Sequence, residues 1–279
     1  MSAGVTLPEL LVALVLAGVL AAGSAQVLRD ATLTTRAGAQ AAEIHQALRV
    51  TNALADDLLE LDAVDGDLVA IAPSSVSLRA SRWLAFACRP AHLGGAGDST
   101  AITVRASPLF GLRSFDASTD SVFLLDPGIM LMEPRWAAAA LRSVDRDRCP
   151  DGSAGQRLDL TAPSGPGVVV PVGAPVMGFE IVSYLLYRGS DGAWYVGMNE
   201  AGGGSVQPLI GPVAAGGLHF TYVDSIGEET SDPARVVAVA LQVTGLGTRP
   251  VRDRGGALAV PLDSVRRWLW LRNNRAGSP

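Results

Sequence analysis

The sequence predicts an α+β chain: a long N-terminal helix, transmembrane in its first half and amphipathic in its second, packed on a mainly antiparallel β head. Three observations carry this. An apolar run from Leu10 to Gly23 sits inside the stretch Val5 to Leu28; apolar residues then recur at helical spacing as far as Leu61; from Asp67 onward the period drops to two. At 279 residues and 48% hydrophobic content, the chain is long and apolar enough for a packed core rather than disorder.

The helix comes first. From Val5 to Leu28 the side chains that resist lipid are Thr6, Glu9, Ser24 and Gln26. Some 24 helical residues at ~1.5 Å each reach about 36 Å, enough for a bilayer core. Ala13, Ala17, Ala21 and Ala25 recur every four residues, a line of small side chains that allows another helix to approach closely; an alanine-rich composition produces the same line by chance. Beyond the span, Ile44, Ala47, Leu48, Thr51, Ala55, Leu58 and Leu61 share one face of a 3.6-residue period. No proline interrupts Arg29 to Leu61, so one helix is expected from about Val5 to Leu61, ended by Asp62 to Asp67 with its Gly66.

The head follows. Candidate strands include Val76–Arg79, Trp83–Cys88, Ala101–Arg105, Ser121–Leu125, Ile129–Glu133, Arg157–Leu160, Phe179–Tyr187, Trp194–Met198, Leu218–Val223, Val236–Val243 and Trp268–Leu271. The alternation is plainest where Phe179, Ile181, Ser183, Leu185 and Tyr187 interleave with Glu180, Val182, Tyr184 and Leu186. Ala137 to Arg142 is expected as a short helix.

Composition excludes several chemistries. All 22 basic residues are arginine, so there is no P-loop lysine, no Schiff base and no Ser-x-x-Lys nucleophile. Gly94 to Gly97 and Gly202 to Gly204 are then turns rather than phosphate cradles. The net charge of −5, with no basic cluster, gives no footprint for nucleic acid. His45, His92 and His219 are scattered over a helix, a loop and a strand, with no metal-ligand spacing. Asp145, Asp147, Asp151 and Gly152 are interrupted by Arg146 and Arg148 and fail the calcium-loop spacing, which leaves a solvated acidic loop. No catalytic residue, metal or cofactor is expected. Cys88 and Cys149 are the only cysteines: a disulfide if the head is exported, two buried thiols otherwise.

Gly4 followed by Val5-Thr-Leu-Pro-Glu9 and the apolar run resembles the class III signal of type IV prepilins and type II secretion pseudopilins. Pro8 fits the first helical turn, where its missing N–H would be unpaired anyway. The resemblance implies that residues 1–4 are a leader, that a prepilin peptidase cuts between Gly4 and Val5, and that Val5 becomes N-methylated. Glu9 then offsets the terminal amine of a neighbouring subunit. The leader carries no Lys or Arg to set orientation, which leaves open a start codon upstream of Met1. Also open are an uncleaved anchor and an ordinary signal peptide cut before Gln26, with Gly23 and Ala25 as its small residues.

Tyr184-Leu-Leu-Tyr187-Arg, Gly192-Ala-Trp-Tyr195, Leu218-His-Phe220-Thr-Tyr222 and Trp268-Leu-Trp-Leu-Arg-Asn273 are similar to the C-terminal half of PilW-like minor pilins and GspJ-like minor pseudopilins. Residues 68–175 carry no such likeness. The division implied is leader 1–4, helix 5–62 (5–28 transmembrane, 29–62 amphipathic) and β head 63–279. The function implied is that of a non-enzymatic structural subunit, single-pass in the inner membrane with its head in the periplasm, then part of a pilus or pseudopilus. Its partners would be the prepilin peptidase, other pilin subunits and the inner-membrane assembly platform. The competing class is a membrane-anchored or secreted periplasmic β-rich binding domain or enzyme.

Overall fold

The computed structural model describes residues 7–49, 51–94, 100–111, 113–128, 134–161, 167–200, 205–247, 250–252 and 257–272. Two helices lead, α1 (Leu7–Arg49) and α2 (Thr51–Leu59). Val50 lies outside the described residues, so the expected single helix is seen as these two stretches. The strands follow in order: β1 (Leu68–Ala72), β2 (Ser75–Phe86), β3 (Ala91–Leu93), β4 (Ala101–Arg105), β5 (Phe110–Gly111), β6 (Ser121–Asp126), β7 (Arg135–Arg148) and β8 (Ala154–Leu160). Then come β9 (Val168–Val170), β10 (Pro175–Arg188), β11 (Trp194–Glu200), β12 (Gln207–Val223), β13 (Ala238–Leu246), β14 (Val251–Arg252), β15 (Leu258–Ala259) and β16 (Leu262–Trp270).

This overturns the α+β expectation: the chain is mostly β, built on an antiparallel sheet of 12 strands. The reason lies in what each part contributes to a core. Of the helical region, the described side chains that bury are Thr51, Leu54, Ala55 and Leu58, with Leu61 just beyond, whereas the strands supply most of the buried side chains. Segments read as separate also merge, Val76–Arg79 and Trp83–Cys88 falling largely within the single strand β2. Ala137 to Arg142 lies inside β7 and not in a helix. Alanine favours a helix in isolation, but here Ala137, Ala139 and Leu141 bury on one side while β6 pairs along the strand, so packing overrides propensity. The expected strand Ile129–Glu133 and the glycines 202–204 lie outside the described residues.

The sheet turns on β10. Pro175–Leu185 pair with β2 on one edge, while the other edge pairs with β6 over Val176–Phe179 and with β11 over Val182–Arg188. One arm continues β11–β12–β13–β16. The other runs β6–β7–β8–β4 and returns to the end of β2 through the Ala87↔Val104 bridge and the Cys88 N–H donating to Thr103 O at 2.9 Å, closing a six-stranded barrel. Trp83, Ile102, Val122, Leu124, Leu158 and Val176 fill that barrel. Leu54, Leu58, Leu78, Val182, Phe220 and Leu241 make a second core, where α2 packs on the open arm.

A bulge keeps both cores on one side of the sheet. The β2/β10 register slips between Gly178↔Trp83 and Phe179↔Ser81, leaving Arg82 as the extra residue. Upstream of it Val76, Leu78 and Ala80 point inward; downstream Trp83 and Ala85 do. Cys88 and Cys149 form a disulfide with Cα atoms 5.6 Å apart, beside the seam where the barrel closes. At the far end of α2, Asp62 Oδ1 accepts from the Val64 and Asp65 N–H groups, and Gly66 takes a φ of 80° that a side chain would resist.

Arg82 opens a buried chain of charges between α2 and the barrel. Its guanidinium pairs with Glu180 and lies 3.6 Å from Asp57, which also accepts the Tyr184 hydroxyl at 2.6 Å. Glu180 pairs in turn with Arg113 at 2.9 Å. Arg113 holds Asp120, which accepts the Trp83 indole N–H at 2.8 Å and the Asp116 backbone N–H at 2.8 Å. Each buried carboxylate is therefore matched by a donor, as burial requires.

Candidate functional site: the exposed apolar helix

The 43 residues of α1 place an apolar stretch in solvent. Leu10 to Leu28, 19 residues of mean hydropathy 2.2, is not buried against the head. At ~1.5 Å per residue this covers about 29 Å, close to the ~30 Å of bilayer hydrocarbon. Leu11, Val15, Val19, Leu20, Val27 and Leu28 are each between 58% and 71% exposed. The chain thus has one N-terminal helix long and apolar enough to span a membrane.

The Ser24 hydroxyl of this stretch is satisfied within it. It donates to Leu20 O at 2.8 Å, and further along Thr35 donates to Ala31 O at 2.7 Å, so neither hydroxyl needs water. Ala13, Ala17, Ala21 and Ala25 all lie on the exposed helix. Four residues are slightly more than one turn, so their methyls form a shallow spiral ridge rather than a straight line. A Cβ added at Gly18 or Gly23 would meet nothing within 4 Å, so the small side chains here are not required by contacts inside the chain.

Of the sequence-predicted residues, Gly4 and Val5 lie outside the described residues, as does the Glu9 side chain, whose backbone belongs to the first turns of α1. Cys88 and Cys149 are joined. The His45 side chain is outside the described residues, and His92 and His219 are exposed on β3 and β12. Asp145 and Asp147 lie on β7 while Asp151 and Gly152 form the turn after it, and no group of His, Cys, Asp or Glu among the described residues is placed to hold a metal ion.

Sequence reasoning missed a cleft of about 840 Å³ between the acidic end of α2 and the barrel. Its carboxylate wall is Asp57, Glu60, Asp62, Asp65 and Asp67; its aromatic side is Phe123, Trp136 and Phe179, with Arg79 between. Phe123 stacks on Phe179 with centroids 4.2 Å apart and stands 6.4 Å from Trp136. Burial pushes the Asp67 carboxyl up, against the pull of the Asp62 N–H and Arg79. The one signal available was the alternation of Phe123 and Phe179 with the buried Val122, Leu124 and Gly178, which puts the rings on the opposite side of the sheet from the barrel core.

No family model matches this chain, and neither a curated protein nor a solved structure matches it.

Proposed function

We propose that this chain is a minor pilin or pseudopilin: a structural subunit cut after Gly4 by a prepilin peptidase, methylated at Val5 and assembled into a filament through its N-terminal helix. The observation that carries the reading is the exposed stretch Leu10–Leu28, apolar on every side and preceded by the Gly4, Val5 and Glu9 pattern. A helix apolar all round needs lipid or other helices about it. In the inner membrane lipid surrounds it, with the head in the periplasm; in a filament the helices of neighbouring subunits replace the lipid, and the ridge Ala13, Ala17, Ala21 and Ala25 lets them approach. The disulfide supports an oxidising compartment for the head.

Mass spectrometry of the mature amino terminus tests the processing step. The expected terminus is N-methylated Val5, with Gly4→Ala processed less completely; a terminus at Gln26, or an intact Met1, overturns the reading. Assembly is tested separately. Glu9→Ala removes a carboxylate that costs roughly 2.5 to 3.5 kcal/mol inside a span, so insertion is maintained or improved while recovery with sheared filaments falls. Ala17→Leu keeps the span apolar but holds helices apart, with the same split outcome. Should both variants assemble like wild type, the helix is a passive anchor and the function belongs to the head.

A further inference from the structure

The cleft between the end of α2 and the barrel already holds one guanidinium, and the way it does so identifies what the rest of the cleft accepts. Arg79 lies over Phe123 at 5.5 Å and Phe179 at 5.6 Å from the ring centroids. It donates to the Asp65 carbonyl at 3.1 Å and stands 3.9 Å from the Asp67 carboxylate. A planar cation thus rests on aromatic faces with its edge toward acidic groups, the geometry that favours arginine over lysine.

The same surface continues past Arg79. Next to Phe123 stands Trp136, 40% exposed, its indole turned 72° from the Phe123 plane, so that it offers a second, separate aromatic face at the cleft. The lining brings five carboxylates against three guanidiniums, those of Arg79, Arg135 and Arg272, so the cleft is net acidic. At about 840 Å³ it exceeds what one side chain fills and falls in the usual range of ligand sites. An acidic partner would meet the wall's repulsion, and a purely apolar one would leave the wall's charges desolvated.

We propose that this cleft docks an extended, arginine-bearing segment of a partner protein, with a partner guanidinium stacked on Trp136 and its peptide running along the acidic wall. The proposal concerns the cleft where α2 meets the barrel and uses no residue of α1, so it does not depend on how the N-terminal stretch is processed or assembled.

The test uses the full chain in detergent micelles and three fluorescein-labelled peptides, Gly-Arg-Ser-Arg-Gly and its lysine and glutamate counterparts, followed by anisotropy. The arginine peptide should bind about threefold to fivefold more tightly than the lysine peptide per stacked side chain, and the glutamate peptide should not bind. Trp136→Ala should remove that preference with the far-UV circular dichroism unchanged, and Trp136→Phe should restore most of it. Glu60→Gln with Asp65→Asn should weaken both cationic peptides. Equal binding of arginine and lysine peptides, or indifference to Trp136→Ala, overturns the proposal. So does a gain of tenfold or more on removing residues 273–279, since the tail that follows Arg272 and carries Arg275 would then be the occupant.

Discussion

Glu180 is the test of how the head is held to its helix. It is 3% exposed and carries two guanidiniums, those of Arg82 and Arg113. Glu180→Gln keeps the shape but removes the charge, leaving Arg82, itself 8% exposed, with Asp57 alone at 3.6 Å. Removing one partner of a buried pair costs about 3–5 kcal/mol, because the surviving charge stays desolvated. Arg113 softens this, since its side chain is 30% exposed and retains Asp120. We therefore expect about 3 kcal/mol for Glu180→Gln and a similar loss for Arg82→Met, which strands Glu180 on Arg113. The double variant Arg82→Met/Glu180→Met removes both charges and restores apolar contact, so it should cost less than the sum of the singles by at least ~1 kcal/mol. Urea unfolding of the detergent-solubilised chain, followed by tryptophan fluorescence, measures all three. The reasoning is refuted by a Glu180→Gln loss below about 1 kcal/mol, or by singles that add to within ~0.5 kcal/mol.

Three other outcomes are open to measurement. Leu58, fully buried where α2 meets the open arm of the sheet, should cost about 2–5 kcal/mol as Leu58→Ala in the same unfolding assay. Burial raises the Tyr184 and Tyr222 hydroxyls, Asp57 adding to the effect at Tyr184. A folded pKa above the unfolded value near 10 means that the neutral phenols contribute stability below pH ~10, which is lost as pH climbs toward the folded values. Absorbance at 295 nm should then show delayed titration in the native chain and all four tyrosines titrating near pH 10 in guanidinium; four normal titrations in the folded chain would contradict it. The bridged cysteines are 61 residues apart, and on the loop-entropy account removing both as Cys88→Ala/Cys149→Ala should cost roughly 4 kcal/mol; thiol labelling of denatured, unreduced wild type should find neither sulfur free.

What was legible in the sequence was whatever is periodic. The alternation from Phe179 to Tyr187 is the inward and outward pattern of β10, and Thr51, Ala55, Leu58 and Leu61 do bury on one face. Alanines misled, because at Ala137 and Ala139 burial comes from the neighbouring strand and leaves no trace in residue type. The barrel was invisible for a related reason: its closure depends on one extra residue at Arg82 and on a bridge between Ala87 and Val104, neither of which alters the pattern of apolar letters. A charge inside an apolar strand, Arg82 or Glu180, was a usable clue to the network, since each must meet a partner once buried. The cleft gave no clue of that kind, as residues from Asp57 to Arg272 meet there only through the fold.

The route from helix to head bears on the proposed role. A passive tether needs no fixed geometry between anchor and domain, and a polar, flexible linker serves it well. Here α2 begins two residues after α1 ends, and it is held in two chemically different ways. One face buries Leu54, Ala55 and Leu58 against the open arm of the sheet. From another, Asp57 reaches Tyr184 and Arg82, and through Arg82 and Glu180 the connection passes to Arg113, Asp120 and Trp83 in the wall of the barrel. Apolar contact alone permits a helix to slide at small cost, because it is non-directional. Charge-assisted hydrogen bonds do not, since each fixes distance and angle. A head locked by both means turns with α2, and that is the property an assembled subunit needs if the packing of its helix is to decide where its head stands.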